Sequence, residues 1–328
     1  MKAMVYKQYG SPDVLELNTV KKPEPKDNEV LVKLYAASIN DWDWGLLRGK
    51  PFINRMMTGL LKPQRITVLG SDIAGRVEAV GKNIRQFQRG EAVFGDLCGN
   101  RWGGFAEYVC APEDTLTLKP ETMSFEQAAA LPQAALLAWQ GLSGKNAIQP
   151  GDKVLINGAG GGSGSFAVQI AKSFGAEVTG VDSAEKFEMM RSLGADQVID
   201  YSHEDFTNSG ERYDLILDLM GYHSIFDYWR ALSDKGRYVM VGGASGLIFQ
   251  VLTVGFFLSI FGKKKMKILP HEPNKGMDQL KILFEETKVK PVIDRCFPLE
   301  KLADAMRYFG ERRSKGKVII KINQDRMD

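Results

Sequence analysis

Three glycines at regular spacing, Gly158, Gly161 and Gly164, lie in the stretch whose residue types most clearly predict chemistry. The apolar run 154–156 before them is typical of a buried parallel strand, and the apolar periodicity after them is typical of a helix. Glycine lets the backbone turn sharply and approach a diphosphate more closely than a β-carbon allows. The helix N-terminus favours negative charge there. The stretch therefore predicts a dinucleotide-binding turn, with a glycine-rich loop that binds no ligand as the alternative.

A carboxylate follows this turn at the spacing expected for a ribose contact. Asp182 lies eighteen residues past the last of the three glycines and ends an apolar run, 177–181, that is typical of a second strand. Such a carboxylate accepts hydrogen bonds from the ribose hydroxyls of NADH and repels the 2′-phosphate of NADPH. Ser183 and Lys186 offer that phosphate a hydroxyl donor and a positive charge, and Tyr201 is positioned to cover the adenine. We therefore expect both coenzymes to be used.

The elements around the turn alternate between strands and helices. Ser124 is a predicted N-cap, and a helix is predicted from there to Leu142. Further along, strands are expected at 178–181, 197–199, 215–217 and 238–241, and helices at 184–193 and around 228–232. This alternation predicts a parallel, doubly wound sheet.

The rest of the chain is expected to form a mostly-β domain. Strand-like alternation recurs at 14–17, 29–34, 72–80, 92–94 and 105–109, with turn residues between the strands. The tail is predicted to add a helix after 277, an extended piece at 291–293, a helix at 299–308 and a last strand at 317–321.

Three further segments bear on surfaces and assembly. Residues 52–61 are apolar and predict either a lid over a site or a surface helix packed on the β domain. Residues 247–261 are almost wholly apolar and precede three lysines, but they are too few to span a bilayer comfortably. We expect a buried helix there, with peripheral attachment to an anionic membrane surface as the alternative. Residues 265–269 alternate like an edge strand, and two-fold pairing of that edge predicts a homodimer.

Composition excludes several classes of protein. The 328 residues are 44% hydrophobic and 25% charged, as in a globular protein large enough for two domains. A net charge of +3 is too small to indicate nucleic acid as a partner. Three widely spaced cysteines argue against a disulfide framework or a cysteine-rich metal site and favour a reducing cytoplasm. The N-terminal residues lack the apolar core of a signal peptide.

The order of these parts resembles the medium-chain dehydrogenase/reductase superfamily. The matching residues extend over nearly the whole chain and are Gly81, 90–95, 104–108, the glycine turn, 193–196, Asp214, Asp218, 241–243 and 316–319. The resemblance implies an α/β fold in which a Rossmann doubly wound parallel sheet is inserted in a mostly-β, GroES-like catalytic domain. It implies a catalytic domain of 1–121 with 264–328, a dinucleotide-binding domain of 122–263, and a nicotinamide in the cleft between them.

Zinc alcohol dehydrogenases of this superfamily use a cysteine and a His-Glu pair at positions that correspond here to Asn40 and to Ser71–Asp72. An amide and a hydroxyl cannot replace a thiolate and an imidazole on a tightly bound catalytic zinc ion. The four-cysteine structural zinc loop is missing too, since only Cys98 and Cys110 lie nearby, and the three histidines fall outside the site positions. We therefore expect no metal.

What remains resembles the zinc-free quinone oxidoreductase branch, whose Val-Asn-x-x-Asp pattern is similar to residues 39–43. Members of that branch reduce quinones or the activated double bonds of enones and alkenals, generally with NADPH. The resemblance implies the same reaction here, with a reductase of enoyl thioesters and a non-enzymatic cofactor-binding protein as alternatives. Two residues depart from the branch. Leu137 replaces a threonine often found beside the nicotinamide, and Asp182 replaces a small or neutral residue.

Roles for individual residues follow from this resemblance. We predict that the Asn40 amide polarises the substrate carbonyl or, alternatively, ties the strand end to the backbone. Asp43 is predicted to orient neighbouring loops or to touch the substrate. Trp42, Trp44 and Leu137 are assigned to the substrate pocket, although one tryptophan packing in the β core is an equal alternative. Gly242 and Gly243 let the backbone approach the nicotinamide or form an ordinary turn. The predicted cofactor-binding residues are Gly158, Gly161, Gly162, Ser163, Gly164, Asp182, Ser183, Lys186, Tyr201, Gly242, Gly243 and Lys317.

Overall fold

The computed structural model describes residues 1–99, 102–144 and 147–323, and the chain divides into two compact units. The first unit comprises residues 1–133, 273–277 and the chain from Ile293 onward, and the second comprises 134–272 and 278–292. The bounds predicted from the sequence differ from this division in assigning 122–133 to the dinucleotide-binding domain, and 264–272 and 278–292 to the catalytic domain.

The described residues form more strands and helices than the sequence pattern predicts. The strands are β1 (Lys2–Tyr6), β2 (Leu15–Thr19), β3 (Glu29–Ser38), β4 (Asp72–Val80), β5 (Ala92–Asp96), β6 (Tyr108–Pro112), β7 (Thr117–Leu118), β8 (Lys153–Asn157), β9 (Glu177–Asp182), β10 (Gln197–Asp200), β11 (Tyr213–Asp218), β12 (Leu232–Met240), β13 (Lys265–Ile268), β14 (Ile293–Pro298) and β15 (Lys317–Lys321). The α-helices are α1 (Asp41–Arg48), α2 (Ile53–Thr58), α3 (Phe125–Ala130), α4 (Pro132–Leu142), α5 (Gly162–Ser173), α6 (Phe187–Ser192), α7 (Ile225–Ala231), α8 (Ser245–Gln250), α9 (Phe256–Phe261), α10 (Met277–Glu285) and α11 (Leu302–Gly310).

In the first unit, β3 is the strand on which the others assemble. It pairs antiparallel with β4, β6 and β15 in a sheet of order β14-β15-β3-β4-β5-β7, with β6 also on β3. The register puts Ser38, the last residue of β3, opposite Asp72 of β4 and opposite Ile319 of β15. Three segments that are distant in the sequence therefore meet at one end of β3.

The described residues of the second unit form a sheet of six parallel strands in the order β10-β9-β8-β11-β12-β13. The central strand β8 buries Val154, Leu155 and Ile156 completely, as expected for a strand covered on both faces. This sheet confirms the fold class predicted from the alternation of strands and helices. β13 forms one edge of the sheet, where the sequence predicted an edge strand.

The apolar segment 247–261 is helical, but the prediction that it is buried is wrong. It runs from α8 through a π-helical turn into α9, and Phe249 and Phe261 are 68% and 86% exposed. Leu247 and Val251 are buried because a helix packed on one side of β13 covers only one stripe of residues about four apart. No helix among the described residues is long and apolar enough to cross a bilayer.

The helix predicted from Ser124 to Leu142 is divided into α3 and α4. Ser124 caps α3 as predicted, since its hydroxyl accepts a hydrogen bond from the Gln127 amide at 3.2 Å. The break falls at Leu131 because Pro132 lacks the N–H that a continuous helix needs and restricts the residue before it.

Other differences arise where long-range pairing decides the strand bounds. The strand β1, which was not predicted, pairs with β2. The strands β6 and β14 begin later than predicted because their partners, β3 and β15, set the register. The segment 52–61 contains the short helix α2, flanked by Phe52 at 64% and Leu61 at 92% exposure. It thus presents apolar side chains to solvent.

Candidate active site

Asp43 joins two loops at the end of β3 in the first unit. Its Oδ2 accepts the Asn40 backbone N–H at 2.9 Å, and its Oδ1 accepts the Gly70 N–H at 2.8 Å. Its side chain is completely buried. The carboxyl group therefore fixes the start of α1 against the loop that leads into β4, and this geometry favours the loop-orienting role.

The pKa of Asp43 is raised from its usual range to about 7. Burial is the main cause, because it removes water from the charged form. The two backbone hydrogen bonds and the positive charge of Lys317 lower the pKa in part, whereas the negative charge of Asp72 raises it further.

The side chain of Asn40 lies between a positive and a negative group. Its Oδ1 accepts a hydrogen bond from Lys317 Nζ at 2.6 Å, and its Nδ2 donates to Asp72 Oδ2 at 2.9 Å. The same Nδ2 is 3.5 Å from Ser71 Oγ. Asn40 is 6% exposed, and Lys317 3%. Sequence reasoning placed Lys317 with the cofactor; the described structure gives its ammonium these contacts in the first unit.

Asp72 is the shared acceptor of a buried polar cluster formed by Ser38, Asn40, Asp72 and Lys317. Besides the Asn40 amide, its Oδ2 accepts the Ser38 hydroxyl at 3.0 Å and lies 3.4 Å from Lys317 Nζ, while its Oδ1 accepts the Gln133 backbone N–H at 3.1 Å. Burial raises the pKa of Asp72, and the charge of Lys317 opposes that rise. Sequence reasoning missed the contribution of Ser38 and the link to Lys317; a lysine that begins the otherwise apolar run 317–320 is the signal that was available.

The residues that correspond to zinc ligands therefore bind one another. Asn40, Ser71 and Asp72 offer an amide, a hydroxyl and a carboxylate that is already bonded to three donors, and an ammonium lies among them. In the part of the chain that the structure describes, no group of three or more His, Cys, Asp or Glu side chains could hold a metal ion. This donor set does not fit a catalytic zinc ion.

The three residues assigned to the substrate pocket have different surroundings. Trp42 is 38% exposed on α1. Trp44, on the same helix, packs on the core of the first unit, where a β-carbon added at Gly310 would lie 2.5 Å from its ring. Leu137 is half-buried on α4. The packing alternative thus applies to Trp44.

In the second unit, the glycine turn connects β8 to α5. Gly158 has a φ of +91°, a conformation that side chains rarely adopt, and α5 begins at Gly162. A β-carbon on Gly164 would lie 2.0 Å from the Gly158 carbonyl oxygen, so this close approach of helix to strand requires glycine. The chain is thus shaped as a diphosphate-binding turn requires, with Gly161, Gly162 and Ser163 at the helix N-terminus.

Asp182 is bonded to the turn itself. Its Oδ2 accepts the Gly160 N–H at 2.9 Å, and its Oδ1 accepts the Ser183 N–H at 2.9 Å and pairs with Lys186 Nζ at 3.0 Å. Asp182 and Lys186 are 8% and 7% exposed. Gly160 was not among the predicted site residues. Glycine is required there because a β-carbon would lie 2.4 Å from the Lys186 side chain.

The remaining predicted cofactor residues follow the carboxyl ends of two other strands of the same sheet, β10 and β12. Tyr201 follows β10 and is 53% exposed. Gly242 and Gly243 follow β12, and Gly243 has a φ of +153° and forms a bridge with Gly221. Beside them, buried Asp218 at the end of β11 accepts hydrogen bonds from Tyr238 Oη at 2.6 Å and Asn157 Nδ2 at 2.8 Å. Asp218 thereby connects β8, β11 and β12 at their carboxyl ends, where the glycine turn also lies.

Two known protein families match separate segments of the chain. The family described as "Alcohol dehydrogenase GroES-like domain" matches residues 26–121, and the family described as "Zinc-binding dehydrogenase" matches residues 193–320.

Several known proteins are similar over nearly the whole length of the chain. The 2-methylene-furan-3-one reductase of Solanum lycopersicum is 35% identical over 98% of this chain and 79% of its own. The chloroplastic NADPH-dependent alkenal/one oxidoreductase of Arabidopsis thaliana is 34% identical over the same shares. Among solved structures, the quinone oxidoreductase from Coxiella burnetii has a TM-score of 0.87 at 31% identity, covering 98% of this chain and 99% of that one.

Proposed function

This chain belongs to the medium-chain dehydrogenase/reductase superfamily, in its quinone oxidoreductase branch, and we propose that it catalyses the NAD(P)H-dependent reduction of quinones or of the activated double bonds of enones and alkenals. The observation that carries the proposal is the buried Asn40 amide, held between an ammonium and a carboxylate. Conjugated acceptors spread the negative charge that develops on reduction, so a hydrogen-bond donor is sufficient to stabilise it.

We assign the Asn40 amide to the substrate carbonyl. One N–H of Nδ2 is bound to Asp72, whereas the other has, among the described residues, only the contact with Ser71 Oγ, at the 3.5 Å limit of a hydrogen bond. This second N–H can therefore donate to a substrate oxygen without breaking a strong bond. A donor that is already oriented needs no reorganisation during the reaction. In this proposal Asp43 orients the loops, and Trp42 and Leu137 contact the substrate.

We also propose that the reaction uses no zinc. The chemistry of the donors around Asn40 and the ammonium of Lys317 among them support this proposal. Turnover should therefore survive treatment with a chelator. Loss of turnover that is restored specifically by zinc would contradict it.

For the cofactor, we propose that the turn from Gly158 to Gly164 holds the diphosphate and that residues near Asp182 hold the adenosine. When bound, the nicotinamide cofactor supplies a hydride. The bonds that Asp182 makes to Gly160 and Ser183, and its pair with Lys186, offset part of its negative charge. Repulsion of a 2′-phosphate is then weaker than at a free carboxylate, which supports the use of NADPH as well as NADH.

For assembly, we propose a homodimer formed through the edge strand β13. Among the described residues β13 is the last strand in the order of the parallel sheet, and Phe249, Phe257 and Phe261 of the segment 247–261 are all more than half exposed, so an edge strand and an apolar surface both favour association. Contact of this face with a membrane surface is the alternative. Light scattering should give the mass of a dimer at micromolar concentration; a monomer mass would refute the proposal. A reducing cytoplasm remains our proposal for its location, supported by the three free cysteines.

The proposed reaction is tested by measuring NADPH and NADH consumption by the chelator-treated protein with a simple quinone, an alkenal and an enoyl thioester. We expect turnover with the quinone or the alkenal. Turnover confined to the enoyl thioester would replace the proposed substrate class. Coenzyme binding without turnover of any of the three would favour a non-enzymatic cofactor-binding protein.

A further inference from the structure

Lys317 is the buried cation of the first unit's polar cluster. It begins β15, and its ammonium has three acceptors: Asn40 Oδ1 at 2.6 Å, the Ile39 carbonyl at 3.4 Å and Asp72 Oδ2 at 3.4 Å. The shortest of these contacts is to the neutral amide, and the charged partner is more distant. The ammonium is therefore directed at Asn40 more closely than at the carboxylate.

Burying this charge needs a reason beyond packing. A buried ion pair seldom adds stability compared with apolar residues of the same volume, because both ions lose their hydration. Asp72 already has the Ser38 hydroxyl, the Asn40 amide and the Gln133 N–H as donors. What Lys317 adds to this arrangement is a fixed positive charge on the oxygen side of the Asn40 amide.

We infer that Lys317 is a positioning residue that orients and polarises the Asn40 amide for catalysis, and this inference rests on the proposed reductase function. An amide has a donor end and an acceptor end that are similar in shape, and only its partners decide which way it points. Here Lys317 binds the acceptor end and Asp72 binds the donor end. The amide is thus fixed with its remaining N–H, which has a long contact of 3.5 Å with Ser71 Oγ, available to a substrate oxygen.

Polarisation follows from the same contact. A hydrogen bond from an ammonium is charge-assisted and withdraws electron density from the amide oxygen. Hydrogen bonds in a chain strengthen one another, so the Asn40 N–H becomes a better donor as negative charge develops on the substrate oxygen. Lys317 acts through Asn40 in this scheme and has no contact with the substrate.

The test compares Lys317→Met with the double variant Lys317→Met/Asp72→Asn. The single change leaves Asp72 as an unpaired buried charge and should lower the thermal midpoint, whereas the double change removes both charges and should restore it. We expect kcat with an alkenal to fall at least about tenfold in both variants, short of the hundredfold or more typical of losing a donor outright. KM for NADPH should be unchanged in both.

Lys321→Met is the matched control, since Lys321 is on the same strand but lies at the surface, paired with Glu126. It should leave kcat unchanged. If the double variant has the midpoint and the kcat of the wild type, Lys317 serves only folding, and the inference is overturned. If the wild-type protein reduces no quinone, enone or alkenal, the proposed function fails first and this inference with it.

Discussion

Both units bury a lysine beside an aspartate, but the two pairs are assembled differently. In the second unit, Asp182 and Lys186 are four residues apart, and their charged atoms are 3.0 Å apart. In the first unit, Asp72 and Lys317 are 245 residues apart, and Asn40 lies between them. The local pair needs only the turn after β9, whereas the distant pair needs the whole sheet around β3. We therefore expect the Asp72–Lys317 pair to be coupled to folding and the Asp182–Lys186 pair to ligand choice.

The largest effect should come from breaking the distant pair. Asp72→Asn keeps the shape of the side chain but leaves the buried Lys317 charge without a negatively charged partner. We expect a loss of about 3–5 kcal/mol in the free energy of unfolding, measured by urea denaturation. A variant within about 1 kcal/mol of the wild type would mean that this pair is no more coupled to folding than an exposed one.

A smaller effect should appear as a dependence of stability on pH. In the folded protein the pKa of Asp43 is about 7, so the folded state keeps a proton that the unfolded chain loses near pH 4. Because the pKa of Asp43 is higher in the folded state than in the unfolded state, the free energy of unfolding falls as the pH rises toward 7. Above that pH it levels off. Between pH 6 and 8, Asp43 should account for about 1.4 kcal/mol of lost unfolding free energy.

Asp43→Asn is the comparison for this second prediction. The variant is less stable overall, because its amide cannot accept both the Asn40 and the Gly70 N–H groups. Its unfolding free energy should nevertheless change less between pH 6 and 8 than that of the wild type. Equal changes in the two proteins would show that the wild-type dependence comes from other groups.

The smallest effect should come from the local pair. Asp182→Ser removes a negative charge near the proposed adenosine site and leaves Ser183 and the positive charge of Lys186 in place. If the lost repulsion is about 1 kcal/mol, the ratio of kcat/KM for NADPH to that for NADH should rise about fivefold. An unchanged ratio would restrict Asp182 to fixing the turn through Gly160. Lys186→Met should change the ratio in the opposite direction.

The two pairs also show how far the sequence could be interpreted. The glycine turn, Asp182 and Lys186 lie within thirty residues, so their spacing alone predicted a site, and the parallel sheet followed from the alternation of elements. Lys317 was predicted as a cofactor-binding residue and not as a partner of Asn40, because nothing local to β15 shows that it faces Asn40. That contact depends on the pairing of β15 with β3, which is a long-range property. The exposed face of segment 247–261 was missed for a related reason: an apolar run does not reveal which of its sides is covered.

The most direct test of the account is the rate of alkenal reduction by the chelator-treated protein and by its Asn40→Ala variant at saturating NADPH. We predict that the wild-type protein turns over without metal and that kcat of the variant is about a hundredfold to a thousandfold lower, as when a preorganised donor is removed. An unchanged kcat in the variant, or wild-type turnover that depends on added zinc, would contradict the claim that the Asn40 amide stabilises the developing charge.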